Sequence, residues 1–414
     1  MKILWLSNKN LNEQDNGSTG TWLNAMAHGL VDSGKIILGN ISTGSVREIT
    51  RQDCGLVAQW LVPSASKLNK QGLPESKVVA DIVKTIMDFS PDLVHIWGTE
   101  NYWGILSANK IIPCISLLEM QGIKRAIAKV YNGGLSFVDQ ISCIGLKELA
   151  RQNFIFNVQK QFKKWGEREK TIILGHQFIT TQSPWMESQV KALNQKSKIF
   201  HTDRILRKEF YTSEPWNYSG RPVIFCTAAY SSPFKGLHVA IRATAILKLY
   251  YPNIQLRIAG AHQRTGMRRD GYIAWICKEI ERAGLESNII WLGALSAVQL
   301  VEHLSKCSAI VLPTYIESYC LALAESMILG VPAVVSYTGG TSWLATNEVS
   351  ALFFPPGDEE MCAFQLKRII EDKQLSFNLS QNARTIAIQR HDPKTLVMKQ
   401  LETYHQVIAE RDRC

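Results

Sequence analysis

Two carboxylates, Glu317 and Glu325, stand eight residues apart in the stretch LPTYIESYCLALAESMILGVPAVV that begins at Leu312. The stretch reads as a strand ending at Pro313, a loop carrying Glu317, a helix from about Tyr319 to Leu329 carrying Glu325, then Gly330, Pro332 and a new apolar strand. A carboxylate repels a diphosphate but accepts two hydrogen bonds well, and the paired hydroxyls of a ribose offer those donors to Glu325. The N–H groups of Tyr319, Cys320 and Leu321 at the helix start suit a diphosphate or sugar hydroxyls instead. Glu317, on the loop, would face a sugar; it also reads as a surface carboxylate beside an N-cap Ser318. A third group is Lys235, in Pro233-Phe234-Lys235-Gly236 between a strand and a helix. There a lysine reaches a phosphate while helix-start N–H groups add positive potential, although the GxxxxGK[ST] spacing is missing and a solvated turn lysine is the plainer reading.

These residues need a scaffold, and the chain supplies one by alternation. Residues 2–7 form a strand, a polar loop holds Gly17 and Gly20, and a helical segment stops at Gly34. Without GxGxxG this opening gives little support for a dinucleotide site; Gly20 either lets a ligand approach the backbone or simply turns the chain. Strands follow near 36–42, 56–62, 92–97, 112–118 and 176–181, with helices at 75–89 and 100–110. The segments Gly98-Thr99-Glu100 and Glu119-Met120-Gln121-Gly122, just past strands, are placed to line a cleft, whereas His95 reads as a core histidine. A long helical stretch at 145–170 carries Phe154, Val158, Phe162 and Trp165 on one face and Lys160, Lys163 and Lys164 nearby. It is either a basic amphipathic helix for an anionic membrane or an ordinary domain helix. The turn-rich 213–221 looks like a linker. A second alternating set has strands at 222–228, 254–259, 289–292, 308–312, 332–336 and 351–354, and helices at 377–390 and 394–410 close the chain. The expected architecture is α/β: two Rossmann-like, doubly wound domains facing across a cleft, at 1–215 and 216–390, with a C-terminal helix at 391–414 packing back towards the first.

Composition narrows the function classes. The 414 residues are 46% hydrophobic and 20% charged. No window approaches a membrane span, and the first apolar run is too short for a signal peptide, so a cytoplasmic protein is the default, with membrane association left open. Nine cysteines without a CxxC pair read as reduced thiols, and nine histidines without HxxH or HExxH spacing predict no protein-built metal site. The net charge of +10 favours anionic partners. Nucleic acid is not expected, because no basic and aromatic interleaving on a recognised module is present.

Glu317-Ser318-Tyr319, Glu325-Ser326-Met327, Gly330-Val331-Pro332 and Gly339-Gly340 together resemble the ExxxxxxxE region of the retaining glycosyltransferases of family 4, which have the GT-B fold. Lys235-Gly236 resembles that family's KG turn, Leu292-Gly293 its LG turn and Pro356-Gly357-Asp358 its closing PGD. In the first half the resemblance is looser, through Thr19-Gly20-Thr21-Trp22, Pro91 to His95 and Gln121-Gly122. The resemblance implies a nucleotide-sugar donor held by the C-terminal domain and a glycan, lipid-linked or small-molecule acceptor on the N-terminal one. It implies that Glu325 binds ribose, Glu317 the donor sugar, Lys235 the diphosphate, and backbone groups near Tyr319, Cys320 and Leu321 the sugar and phosphates. Gly20, Ser231 and Ser232 would complete the donor side, and Glu100 and Gln121 the acceptor or cleft side. The implied reaction is front-face transfer with retention, needing no metal and no cofactor. Two departures stand out: Tyr230 replaces an arginine common five residues before the lysine, leaving Ser231, Ser232 or a distant Arg264 or Arg268 to compensate, and Cys320 replaces a familiar glycine. A binding or scaffold protein and a nucleotide-sugar epimerase are the alternatives on the same fold.

Overall fold

The structure is a computed structural model that describes residues 1–12, 21–65, 67–218, 220–227, 232–261, 265–266 and 269–411. The chain divides into two compact units: Met1–Ile123, Trp165–Leu206 and His391–Cys414 form the first, and Lys124–Lys164 with Arg207–Arg390 form the second. Compared with a single boundary at 215/216, residues 124–164 group with the later half of the chain.

The first unit is built on a sheet of β1 (Lys2–Leu6), β2 (Ile37–Gly44), β3 (Thr50–Arg51), β4 (Ala58–Pro63), β5 (Leu93–Trp97), β6 (Ser116–Glu119), β7 (Phe178–Thr181) and β8 (Lys198–His201). Its order is β3-β4-β2-β1-β5-β6-β7-β8, parallel except for β3 against β4. Central β1 and β5 are buried on both faces, which is why they read as apolar runs, broken in β5 only by His95. The helix Pro393–Arg411 packs on the helix Thr21–Asp32, where Gly29 permits the approach: a Cβ there would stand 2.5 Å from Val397 Cγ2. Its Tyr404 hydroxyl accepts from Trp5 Nε1 at 3.0 Å and meets His95 Nδ1 at 2.8 Å, so His95 is a core histidine, with its Nε2 3.7 Å from Glu119 Oε2.

Glu119 does not line a cleft. It is fully buried, and its carboxylate accepts from Arg204 Nη2 at 2.8 Å, Gln182 Nε2 at 2.5 Å, Thr202 Oγ1 at 3.2 Å and the Thr180 hydroxyl. Arg204 in turn lies over the rings of Trp22 and Trp97. Burial alone would raise the Glu119 pKa, but Arg204 and the surrounding donors win and hold it at about 2.

The second unit has six parallel strands, β9 (Val223–Thr227), β10 (Gln255–Ala259), β11 (Ile289–Gly293), β12 (Ala309–Leu312), β13 (Ala333–Ser336) and β14 (Leu352–Phe354), in the order β11-β10-β9-β12-β13-β14. The order turns about β9 and β12, so the loops leaving these two neighbours share one end of the sheet. Residues 124–164 add helices Lys124–Val130, Phe137–Ser142 and Leu146–Arg151 and the first part of Ile155–Leu174. The single helix expected over 145–170 is therefore broken: Gln152 adopts a left-handed φ of 52° and its carbonyl accepts from Asn157 Nδ2 at 2.8 Å. Val158 and Phe162 pack against the second unit's core, and Phe162 lies 5.1 Å from the Tyr131 ring. Val158 and Phe162 of that stripe thus serve the domain core, while Trp165 remains exposed.

Two buried imidazoles make stability depend on pH. His176 Nδ1 donates to the Ile172 carbonyl at 2.7 Å, and His238 Nδ1 meets the Tyr272 hydroxyl at 2.9 Å. Burial pushes both down to about 4. Each stays neutral in the fold while its unfolded counterpart takes a proton below about 6.5, so stability is lost as pH falls from about 6.5 towards 4. Urea denaturation should show a loss of about 2 kcal/mol per histidine at pH 5 relative to pH 7.5. The double variant His176→Gln/His238→Gln should lose the share these two contribute and keep that of His95, which burial also pushes down; an unchanged slope would refute this assignment.

Candidate active site in the second unit

The site is assembled where β9 and β12 end. After β9 a short turn, Pro233–Lys235, leads through Gly236 into the helix Leu237–Lys248. Gly236 has φ 72°, and a Cβ there would lie 1.8 Å from the Pro313 carbonyl oxygen, so only glycine lets this turn abut the end of β12. The Phe234 carbonyl accepts from Tyr315 N at 2.8 Å, stitching the turn to the loop that carries Glu317. Across that junction Lys235 Nζ donates to Glu317 Oε1 at 2.6 Å, both side chains part-buried. The other side of the loop is held by Gly339-Gly340: Gly340 N donates to the Glu317 carbonyl at 2.8 Å. A Cβ on Gly339, at φ 52°, would stand 1.9 Å from that same oxygen.

Glu325 projects from the helix Leu321–Leu329 and is only 9% exposed. Both its oxygens are engaged by Arg207, Nε to Oε1 and Nη2 to Oε2, each at 2.7 Å. Burial lifts the Glu325 carboxyl above its ordinary range, and the Arg207 guanidinium partly offsets this. Arg207 also lies over the Phe210 ring, 4.9 Å from its centroid. Sequence reasoning missed Arg207: it is 118 residues from Glu325 and belongs to no motif. Each oxygen of Glu325 retains a second lone pair, so the pairing leaves acceptor capacity for hydroxyl donors.

The helix begins two residues later than expected, at Leu321. Cys320 precedes it in the left-handed region, φ 77° and ψ 70°, with its carbonyl accepting from Leu323 N at 3.0 Å. A non-glycine residue there is strained, which explains why glycine is the familiar occupant. The thiol is buried and pushed well up, so it is a packed side chain and not a nucleophile. Tyr319 is buried, while Leu321 is half-buried at the first helical turn, where the N–H groups of Leu321 and Ala322 have no acceptor within the helix.

Ser232 lies in the same region and is within hydrogen-bonding reach of the Tyr131 phenol, which burial raises. Glu100 and Gln121 belong to the first unit, where both flank Gly98: a Cβ at Gly98, φ 94°, would meet Glu100 Oε2 at 2.0 Å and Gln121 Cδ at 3.2 Å. Gly20, Ser231, Tyr230, Arg264 and Arg268 lie outside the described residues. The structure thus joins Lys235 to Glu317 and adds Arg207 to Glu325.

Residues 208–386 match the family model described as Glycosyl transferases group 1. The group 1 match contains Lys235, Glu317 and Glu325 and leaves out residues 124–164. YqgM of Bacillus subtilis (strain 168), described as an uncharacterized glycosyltransferase, is 25% identical over 175 residues, 42% of this chain and 46% of that protein. The aligned stretch spans less than half the length of this and the other leading curated relatives. Among solved structures, sucrose-phosphate synthase from Thermosynechococcus elongatus superposes with a TM-score of 0.76 at 15% identity, covering 99% of both chains. Anabaena HepE in complex with UDP and glucose gives 0.65 at 18% identity, covering 98% of this chain and 100% of that one. The fold is GT-B.

The backbone at Cys320 offers a direct check. Cys320→Gly should leave the thermal midpoint within about 3 °C, since relief of strain offsets the lost side chain. Cys320→Val, β-branched at positive φ, should lower it by about 5 °C or more. Equal midpoints for the two variants in a thermal melt would contradict the left-handed assignment.

Proposed function

We propose that the protein is a retaining glycosyltransferase of family 4 that transfers a sugar from a nucleotide-sugar donor without a metal ion. The observation that carries this reading is the Lys235–Glu317 ion pair at the β9 and β12 ends, 2.6 Å long, inside the span matched by the group 1 family. A diphosphate brings more negative charge than one carboxylate and competes for Lys235. Its arrival releases Glu317 from the pair to accept hydrogen bonds from donor-sugar hydroxyls. Glu325, fixed by Arg207, accepts from the ribose hydroxyls.

The bond between the anomeric carbon and the diphosphate oxygen then breaks, and the acceptor hydroxyl oxygen attacks the same face. The acceptor proton passes to the departing phosphate oxygen. Lys235 and the N–H groups at the start of the Leu321–Leu329 helix stabilise the charge that builds on the leaving group, as preorganised donors do elsewhere. Ser231, Ser232 and Gly20 complete the donor side in this reading, and Glu100 and Gln121 serve the acceptor side. The acceptor is a glycan, a lipid-linked sugar or a small molecule, as in cytoplasmic synthesis of surface polysaccharide or glycoconjugates. The presence of UDP and glucose in the HepE complex makes UDP-sugars the first donors to test.

The test is hydrolysis or transfer by purified protein across a panel of UDP-, GDP- and ADP-sugars. At least one donor should turn over, with the anomeric configuration kept by NMR. Lys235→Ala should lower kcat by about a hundredfold, and Glu325→Ala should raise the donor KM by about tenfold or more. A folded parent silent with every donor, or variants that match the parent, would overturn the proposal.

A further inference from the structure

Tyr131 of the segment 124–164 reaches Ser232, but the helices that follow it enter none of the chemistry above, and their outer surface is unusual. The helices Phe137–Ser142 and Leu146–Arg151 are anchored from within: Glu148 accepts from Gly145 N at 3.1 Å and Gly271 N at 3.2 Å, and Gly271 closely approaches the Cys143 carbonyl. Outward they present Phe137, Val138 and Leu146, 70%, 72% and 69% exposed, with Ile141 and Leu149 also exposed. With Phe156, six of the 22 exposed large apolar side chains among the described residues fall within residues 137–156. Scattered exposed leucines need no explanation, but such a concentration marks an interaction surface.

Charge selects the occupant. Residues 124–164 carry eight basic side chains against two acidic ones, six of the chain's ten excess positive charges. Of the two acids Glu148 is buried in its backbone contacts, whereas Asp139 keeps its charge on the helix Phe137–Ser142, and Lys147 is paired with Asp270 at 3.1 Å, so the excess rests on the remaining basic side chains. Lys129, Arg151, Lys160, Lys163 and Lys164 are exposed on the same segment. An apolar face within so positive a segment fits a partner that is anionic at its surface and apolar beneath, which is the chemistry of an anionic bilayer. A second copy of the chain would bring like charge to like charge. Among the described residues no helix is long and apolar enough to cross a membrane.

We propose that the outer face of the helices Phe137–Ser142 and Leu146–Arg151, with Phe156, docks on an anionic lipid surface. The docking face is independent of the sugar chemistry, and vesicle binding reads it without a donor.

The test is co-sedimentation of the full chain with vesicles of phosphatidylcholine alone and with about 30 mol% phosphatidylglycerol. Binding should strengthen at least about tenfold with the anionic lipid and weaken in high salt. Phe137→Ser/Val138→Ser/Ile141→Ser should reduce it about tenfold or more while leaving the thermal midpoint unchanged, because the three side chains are already in water. Lys160→Gln/Lys163→Gln/Lys164→Gln should reduce binding by roughly fivefold per lysine. Failure to bind phosphatidylglycerol vesicles, or full binding by the serine variant, would overturn the proposal. So would a concentration-dependent dimer in light scattering that the serine variant abolishes, which would assign the face to a second copy.

Discussion

A carboxylate withdrawn from water must be met by a cation or by several hydrogen-bond donors, and this constraint organises both units. It is met to different degrees. Glu119, fully buried, has Arg204 and three side-chain donors around it and is a fixed part of the first unit's framework. Glu325 is nearly as buried and is gripped on both oxygens by Arg207. Glu317 is part-buried and meets Lys235 through one oxygen. The three form a gradient from structural to exchangeable, and the pair at the exchangeable end is the one on the β9 and β12 loops. A ligand can compete for Lys235 at modest cost, whereas separating Glu119 from Arg204 would strand a charge in the core.

Much of this was legible in the chain. β1, β5, β9, β12 and β13 are short apolar runs bounded by polar loops, and parallel strands covered on both faces have that look. The Lys235 turn and the Glu317 loop were legible because residue type, glycine placement and strand ends coincide there. β8 was not, since its KIFH sequence is exposed at both ends and has no apolar run to betray an edge strand. The break at Gln152 was equally hidden, because a left-handed glutamine leaves no compositional mark. Arg207 depends on a contact spanning 118 residues, which no local period encodes. In the apolar stripe of Phe154, Val158, Phe162 and Trp165 the pattern marked Val158 and Phe162 for burial but not the sheet they pack against, and Trp165 is exposed, so residues 124–164 read as part of the unit that precedes them.

Cys320 shows how a local rule can be broken without breaking the site. Its carbonyl still starts the helix, and its backbone keeps the left-handed geometry that glycine adopts without strain. The contacts that hold this conformation come from both sides, through the Phe234 carbonyl on Tyr315 and through Gly340 on the Glu317 carbonyl. The surroundings over-determine the loop, so one unfavourable dihedral is carried at a cost of about 1–2 kcal/mol.

The hydrogen bond from Trp5 to Tyr404 joins residues 399 positions apart. A chain made from its N-terminus therefore exposes β1 and β5 long before their last polar partner exists. Residues 124–164 and 207–390 can complete the second unit's core once position 390 has left the ribosome, but Trp5 Nε1 and His95 Nδ1 wait for the helix Pro393–Arg411. The earliest strand of this unit is thus among the last to be sealed. That delay places the nascent first unit, with its tryptophan-rich centre open, in the category of intermediates that chaperones guard.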